Sequence, residues 1–320
     1  MKTTAHVTQP KRSPYPDRRT YWKRLFKNIR KNYVLYLFLL PTLIWYVLFH
    51  YLPMGGVYVA FTRYKGVGDV FAAKFVGLKW FESFFNSKYA SSTIINTLRL
   101  SLYSLALFPL PIIVALMLNE IRQKKLKGVA QTIMYAPHFV SIVILVSIIQ
   151  LFFSSRGLVN TVVTSLGGNA VNFLTSTKAY PHLFVWSDIW SSLGWNTIIY
   201  TAALASVDPE LHEAATLDGA SILQRVRHIN IPTILPTIVI TLILRVGNIM
   251  SLSTEKSLLL RNDVNMAVSE TIGTFVYNRG LLGGDFGYAA AVGLFLNVVN
   301  LVMMLTVNFI SKKVSETSLF

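Results

Sequence analysis

The sequence predicts an all-α integral membrane protein with six transmembrane helices. Its 320 residues are 53% hydrophobic and only 14% charged, with a mean hydropathy of +0.49, whereas soluble domains carry roughly 25% charged residues. Six apolar stretches are long enough to cross a bilayer as helices, which takes roughly 20 residues. These stretches do not alternate between apolar and polar residues as the strands of a membrane barrel do, so we predict helices.

The six predicted helices are separated by polar segments that contain glycine, proline and charged residues. They lie at residues 33–62, 94–118, 129–153, 183–206, 233–252 and 288–310. Proline is expected to kink the second helix at Pro109 and Pro111 and the third at Pro137. Between the fifth and sixth helices, the apolar residues from Met266 to Tyr277 have the spacing of one short amphipathic helix.

Charge predicts which ends of the helices face the cytosol. Residues 1–32 contain ten Lys or Arg and one acid, Asp17, and positive charge accumulates on the cytosolic side of membrane spans. The basic tail 1–32, the loop 119–128, the segment 208–232 and the C-terminal tail 311–320 are each separated by two predicted helices, so all four are expected on that side. Residues 33–62 then form an uncleaved first transmembrane helix, 63–93 an external loop and 94–310 a five-helix core.

Residues 208–232 form a polar segment with several helix signals, and we call it the elbow. Asp208 followed by proline is the pattern of a helix N-cap, and Gly219 suits the left-handed conformation that ends a helix. Ser221 and Gln224 have the spacing of a capping box, and Pro232 is expected to end the second helix. The elbow is therefore predicted to be a helix-turn-helix that docks on a partner.

The elbow also carries a family resemblance. Its pattern of Glu-Ala-Ala, three residues, Gly, nine residues and Ile-x-Ile-Pro resembles the EAA loop of bacterial ABC importer permeases, where leucine usually stands at the position of Ile231. In that family the loop is the coupling helix, which docks in a cleft of a separate ATP-hydrolysing subunit. The resemblance implies that this chain couples to an ATPase through Glu213, Ala214, Ala215, Gly219, Ile229 and Pro232.

A second stretch, 269–295, extends the resemblance. Its sequence, SETIGTFVYNRGLLGGDFGYAAAVGLF, is similar to permeases of the oligosaccharide branch of these importers. Together the two stretches resemble the membrane-spanning permease subunit of a type I, maltose-type ABC importer, over most of residues 93–311 and the first span. This resemblance implies the type I permease fold, a place in the bacterial inner membrane and oligosaccharide import, with acidic oligosaccharides from alginate as one candidate substrate.

The resemblance also implies the partners of the chain. They are a second permease subunit, two ATP-binding subunits, an extracytoplasmic solute-binding protein and the lipid bilayer. The chain has no G-x-x-x-x-G-K-[ST] motif, so we expect no cofactor on it and no enzymatic activity, with ATP and Mg on the ATP-binding subunits. Its basic residues lie in predicted loops, which argues against nucleic acid, and Thr216 stands where a zinc-binding H-E-x-x-H motif starting at His212 needs its second histidine.

Polar residues inside the predicted spans are candidates for the translocation pathway, since ionisable groups in a membrane are costly and commonly functional. Four polar residues follow one another at steps of three, three and four, which is the spacing of one helical face. They are Arg245, Asn248, Ser251 and Glu255. That face predicts either a pathway wall or a buried pair between Arg245 and an acid on a neighbouring helix or subunit. The pathway candidates are Arg245, Asn248, Ser251, Trp195 and Asn196.

Two other functions stay open at this point. A permease-like subunit can act as a sensor or scaffold that binds a loaded binding protein without moving solute. A self-sufficient channel or secondary carrier is the other alternative, although a coupling elbow has no use without a cytosolic motor. Flux through the purified chain without ATP would favour the carrier.

Overall fold

The computed structural model describes residues 18–315 and 318–319. In this part of the chain the backbone is helical almost throughout, and its β structure is limited to an isolated antiparallel bridge between Thr62 and Phe75. The predicted all-α fold class is confirmed. Residues 1–17 of the predicted basic tail, and residues 316, 317 and 320 of the predicted C-terminal tail, lie outside the described residues.

The chain divides into two compact units, Met1–Gly56 and Val57–Phe320. The first contains α1 (Arg18–Lys31), α2 (Tyr33–Tyr46) and α3 (Leu52–Met54). A π-helical turn at Val47–Tyr51 joins α2 to α3. Helix α2 is apolar on every side and buries none of its residues, which is the pattern of a helix surrounded by lipid.

The second unit is a larger helical bundle. Its helices in the described residues are α4 (Lys79–Phe85), α5 (Lys88–Ala106), α6 (Pro109–Asn119), α7 (Lys124–Tyr135), α8 (Ile142–Phe153), α9 (Leu158–Ser165), α10 (Ala179–Leu204), α11 (Pro209–Leu217), α12 (Ile222–Arg225), α13 (Ile231–Val246), α14 (Thr254–Leu260), α15 (Met266–Ser269), α16 (Ile272–Val276) and α17 (Phe286–Ser315).

Five helical segments of the described chain have the length and apolarity to cross a membrane. They are Tyr33–Phe61, Lys88–Asn119, Ile142–Ser165, Ile222–Val246 and Phe286–Val314. The predicted span 183–206 corresponds to α10, whose 26 residues reach about 39 Å at 1.5 Å per residue. Helix α10 is long enough but less apolar, because Asp188, Asn196 and several serines interrupt it. The count of six spans stays a prediction.

Proline breaks two of the predicted helices. Helix α5 ends at Ala106 and α6 begins at Pro109, so the predicted kink in the second span is confirmed. The predicted interruption of the third span at Pro137 is confirmed as well, but it is a full break and not a kink, so residues 129–153 do not form one helix. A 3-10 turn around Pro137 ends α7, and Ser141 starts α8 by accepting a hydrogen bond from the backbone N–H of Ile144 at 3.3 Å.

The prediction that Pro232 ends a helix is also wrong. The helix that begins at Ile222 continues through a π-helical turn, Val226–Asn230, into α13. Pro232 lies in the first turn of α13, where a missing backbone N–H costs little because the turn before it already departs from α-helical hydrogen bonding. Helix α13 then ends at Val246, six residues before the predicted end of the fifth span.

The predicted amphipathic helix from Met266 to Tyr277 is two short helices instead. Helix α15 ends at Ser269, and Thr271 starts α16 with a capping box to Thr274. The Thr271 backbone N–H donates to the Thr274 hydroxyl at 2.9 Å. Threonine caps compete with continuous helix, because their hydroxyls offer the backbone other partners.

Helix α10 runs through two apolar clusters. Near its N-terminus, Tyr180 and Phe184 are buried with residues of α5, α8 and α14. Near its C-terminus, Tyr200 and Leu204 are buried with residues of α6 and α13. Between the two clusters the polar residues of α10 face a cavity, so packing at both ends of the helix holds its middle in place.

Candidate functional site

The middle of α10 lines a polar cavity. This space consists of two adjoining cavities of about 330 Å³ and about 210 Å³, which share Ser104, Asp188 and Arg245 from helices α5, α10 and α13. We call the two together the polar cavity. The five pathway candidates from the sequence all line it, namely Trp195, Asn196, Arg245, Asn248 and Ser251.

Arg245 is exposed in the polar cavity. Its Nη2 donates a hydrogen bond to the Ser104 hydroxyl at 2.6 Å. A guanidinium has five N–H donors, and among the described residues no acidic side chain forms an ion pair with this one. Arg245 therefore keeps donors that a solute carboxylate or hydroxyl can accept from. The sequence left two interpretations of Arg245 open, a pathway wall or a buried ion pair. Within the described part of the chain Arg245 forms no ion pair, and Asp188, the acid that lines the same cavity, is paired with Lys256.

The segment after α13 reaches the cavity without being helical. The predicted single face from Arg245 to Glu255 is wrong, because α13 ends at Val246 and Glu255 belongs to α14. Asn300 of α17 holds the turn in between. Its Oδ1 accepts from the backbone N–H of Met250 at 3.0 Å, and its Nδ2 donates to the Ser251 hydroxyl at 3.0 Å. Asn300 is therefore a positioning residue that the sequence did not single out.

A buried lysine stands behind the cavity wall. Lys256 is 1% exposed, and its Nζ lies 2.5 Å from Asp188 Oδ1 and 2.6 Å from the backbone carbonyl of Phe184. Burial lowers the pKa of Lys256, and the charge and hydrogen bond of Asp188 act against that shift. The Asp188 side chain is 40% exposed, so it reaches the cavity while it neutralises the lysine.

Asp188 and Lys256 were not among the candidate residues. Asp188 is an acid inside a predicted span, which is the same signal that selected Arg245. Lys256 follows the predicted fifth span and looks like an ordinary loop lysine in the sequence. Lys256 neutralises the charge of Asp188. The cavity wall therefore carries one net positive charge, that of Arg245.

Trp195 supplies an aromatic surface. Its ring is stacked on His138, with centroids 4.3 Å apart and planes 8° from parallel. The Trp195 side chain is 46% exposed and lines the cavity beside Asn196. A sugar ring can bind such a surface through its apolar face while Asn196 contacts its hydroxyls.

The first helix of the elbow, its turn and the start of its second helix form as their local signals predict. Asp208 Oδ1 accepts from the backbone N–H of Glu210 at 3.0 Å and starts α11. Gly219 has a φ of +78° and ends the turn. The capping box is complete, since the Ser221 N–H donates to Gln224 Oε1 at 2.7 Å and the Gln224 N–H to the Ser221 hydroxyl at 3.4 Å. These short-range signals are confirmed.

The elbow presents an uncovered surface. Leu217 is 89% exposed and Leu223 is 76% exposed. A shallow groove of about 440 Å³ beside Leu217 is lined also by His212, Glu213 and Thr216.

The residues of the EAA pattern have two different environments. Glu213, Ala214 and Gly219 are exposed, and Ala215 is half-buried in the same helix-turn. Ile229 packs against the buried cluster that contains Tyr200. Pro232 is exposed in the first turn of α13. The first group belongs to the uncovered surface, whereas Ile229 anchors the elbow to the bundle.

Arg225 links the elbow to the end of α6. Its Nη1 donates to the backbone carbonyl of Ala220 at 2.9 Å, and its Nη2 lies 4.0 Å from Glu120 Oε2. The sequence did not mark this arginine, because the two segments are far apart in the chain.

Known proteins resemble this chain over most of its length. Residues 108–316 match the sequence model of a family described as "Binding-protein-dependent transport system inner membrane component". Protein LplB of Bacillus subtilis (strain 168) is 40% identical over 294 residues, which are 91% of this chain and 92% of that protein. The matched range contains the elbow and the five pathway candidates.

Two further similarities concern carbohydrate transporters. The polygalacturonan/rhamnogalacturonan transport system permease protein YteP of Bacillus subtilis (strain 168) is 40% identical over 300 residues, 93% of this chain and 94% of that protein. A chain in the crystal structure of a bacterial alginate ABC transporter, in complex with an alginate pentasaccharide-bound periplasmic protein, has a TM-score of 0.85 at 38% identity. That match covers 92% of this chain and 100% of that chain.

Proposed function

This chain belongs to the family of binding-protein-dependent transport system inner membrane components, and we propose that it forms half of the pathway of an importer for acidic oligosaccharides. It is an ABC importer permease with the type I fold. The observation that carries the substrate proposal is the guanidinium of Arg245, exposed in the polar cavity. Polygalacturonan and alginate, named for two similar proteins, are both built of sugars with carboxylates.

The cavity residues take complementary roles in this proposal. Arg245 pairs with a substrate carboxylate, for which its planar fork of donors is suited. Asn196, Asn248 and Ser251 contact hydroxyls. Trp195 offers its ring face to a sugar ring. In this proposal the helices of this chain form one wall of the pathway, and the second permease subunit supplies the opposite wall.

The elbow provides the coupling in this proposal. Glu213, Ala214, Ala215 and Gly219 form the surface that docks on one of two ATP-binding subunits, which hold ATP and Mg and carry out the hydrolysis. Ile229 and Pro232 transmit the motion into α13. The elbow and both chain termini then lie in the cytosol, in keeping with the basic residues 1–32, and the solute-binding protein delivers substrate from the other side.

Substrate class is tested with the complete transporter in vesicles. Uptake of galacturonate oligosaccharides is compared with uptake of neutral oligosaccharides of equal length, in the parent and in Arg245→Met. We expect about a tenfold loss for the acidic sugars, the effect of roughly 1.4 kcal/mol of lost interaction, and little change for neutral ones. Arg99→Met is the matched control, because Arg99 is exposed on α5 and does not line the cavity. Equal losses for both sugar classes would refute acidic specificity.

Architecture is tested separately by affinity purification of the tagged chain from membranes. We expect a P-loop ATPase and a second permease to co-purify, and both the ATPase and ATP-driven uptake to be lost on replacing Glu213 and Gly219. A chain that purifies alone and gives gradient-driven flux would instead be a self-sufficient carrier. Co-purification of the binding protein without solute uptake would support the sensor.

A further inference from the structure

Helix α1 has two faces of opposite character. Trp22, Leu25, Phe26 and Ile29 recur at the spacing of one helical stripe. Trp22 is 51% exposed and Phe26 is 66% exposed, and their ring centroids lie 6.4 Å apart. Leu25 and Ile29 of the same stripe are half-buried, so the stripe is an aromatic and aliphatic surface that is exposed mainly at Trp22 and Phe26.

The other face of α1 is basic. Lys23, Lys27 and Arg30 recur at steps of four and three, and all three are exposed. The fourteen residues of the helix include seven Lys or Arg and no acid. Among the described residues no carboxylate forms an ion pair with this face. The helix thus presents uncompensated positive charge next to uncovered apolar surface.

Chain connectivity places α1 at the edge of the membrane. One residue, Asn32, separates it from α2, which begins the first apolar span at Tyr33. The Asn32 N–H donates to the carbonyl of Asn28 at 2.9 Å, and the Asn32 side chain donates to Asn28 Oδ1 at 3.3 Å. These bonds hold Asn32 against the last turn of α1, so α1 ends directly before the apolar segment that begins at Tyr33.

We propose that α1 is a membrane-surface helix that binds anionic phospholipid. The stripe from Trp22 to Ile29 enters the boundary between headgroups and acyl chains, and the face with Lys23, Lys27 and Arg30 binds lipid phosphates. Both features are those of interfacial amphipathic helices, and each basic residue near an anionic surface strengthens binding roughly fivefold. The residues named for this site all belong to the first unit.

The absence of cysteine from the sequence makes a direct test available. Phe26→Cys and Lys27→Cys each provide one labelling site, on the apolar and the basic face. The full chain, labelled with a fluorophore, is placed in phosphatidylcholine vesicles containing one third phosphatidylglycerol. We expect brominated acyl chains to quench the label at 26 and aqueous iodide to quench the label at 27. Equal iodide quenching at both positions would overturn the proposal.

Lipid charge is tested with a matched pair of triple variants. Lys23→Gln, Lys27→Gln, Arg30→Gln removes three charges from α1, and Lys124→Gln, Lys125→Gln, Lys127→Gln removes three from the region of α7. In the control variant, with Gln at 124, 125 and 127, brominated phosphatidylglycerol should quench a label at 26 at least fivefold more than brominated phosphatidylcholine, because a single charge contributes roughly fivefold. The variant with Gln at 23, 27 and 30 should lose this preference for phosphatidylglycerol. Its persistence there would overturn the electrostatic part.

Two further measurements test whether the separation of the two faces matters and whether α1 contacts lipid or protein. The exchange Phe26→Lys, Lys27→Phe keeps the charge that orients the first span but mixes the two faces, and we expect it to reduce quenching of a label at Trp22→Cys by acyl-chain bromine. If the label at 26 is shielded only after ATP-binding subunits are added, α1 docks on protein and the lipid proposal fails.

Discussion

The elbow and the polar cavity are built in opposite ways. The shape of the elbow turn is set by contacts between residues close in sequence: Ser221 and Gln224 cap each other across three residues. Cavity contacts are long: Arg245 and Ser104 are 141 residues apart, and Lys256 and Asp188 are 68 apart. The elbow also leaves its leucines uncovered, whereas the cavity wall is supported from behind by buried groups.

Because of this difference, substitutions in the elbow and substitutions near the cavity should have different effects. A docking element needs a defined local shape and an open face, so substitutions at its surface should alter coupling and leave the bundle intact. A cavity wall that depends on several helices should respond to changes at residues that never contact solute. Three substitutions test this contrast, in order of expected effect.

The largest effect is expected at Gly219. Its φ of +78° costs other residues about 1–2 kcal/mol, and the space around its missing Cβ is open, so a bulky side chain projects into the proposed docking surface. Gly219→Trp should leave membrane insertion intact, lower the thermal midpoint by only a few degrees because of the backbone strain, and lower ATP-driven uptake by about tenfold or more. Uptake by reconstituted transporter and thermal unfolding are measured together.

Two controls separate strain from docking. Gly68 has a φ of +87° and is equally open, so Gly68→Trp carries the same backbone strain away from the elbow and should transport normally. Gly219→Asn keeps the left-handed turn, because Asn tolerates it, and should retain most uptake. Full uptake in Gly219→Trp would remove the elbow from the coupling mechanism.

The second effect is expected at the buried ion pair. Asp188→Asn leaves the buried ammonium of Lys256 without its counter-charge, at a cost of about 1–3 kcal/mol. Adding Lys256→Met should restore much of the stability, since an apolar residue replaces the stranded charge. The free energy of unfolding of the purified protein is compared for both single variants and the double variant.

The matched control for this pair lies at the surface. Arg279 and Asp285 are 3.1 Å apart but 40% and 48% exposed, and exposed pairs contribute about 0–1 kcal/mol. Asp285→Asn should therefore change little. A double variant at 188 and 256 no more stable than Asp188→Asn would show that the pair is not the source of the loss.

The smallest effect is expected at Asn300, which contacts the cavity only through a turn. Asn300→Ala removes both bonds to the segment after α13 and should cost about 1–2 kcal/mol, with acidic-sugar uptake reduced about threefold through the displaced Ser251. Asn297→Ala, at an exposed position of the same helix, should change neither quantity. Unaltered uptake and stability in Asn300→Ala would show that the turn holds without it.

Prediction from sequence succeeded where a signal acts over a few residues. The caps at Asp208 and Ser221 and the break before Pro109 are of this kind. It failed where two local signals compete. Pro232 looked like the end of a helix, and a π-helical turn before it lets the helix continue. The spacing from Arg245 to Glu255 looked like one face, and the chain leaves the helix at Val246.

The sequence by itself determined the helical membrane class, the elbow and its family pattern, because apolar length and capping residues act locally. Tertiary structure decided which polar groups meet. Arg245, Asn248 and Ser251 share a cavity because a turn held by Asn300 brings them together, and not because they share a helix face. Lys256 reaches Asp188 because α14 packs against α10 in a common apolar cluster. Periodicity along one chain carries no information about the distance between helices, and packing alone sets it.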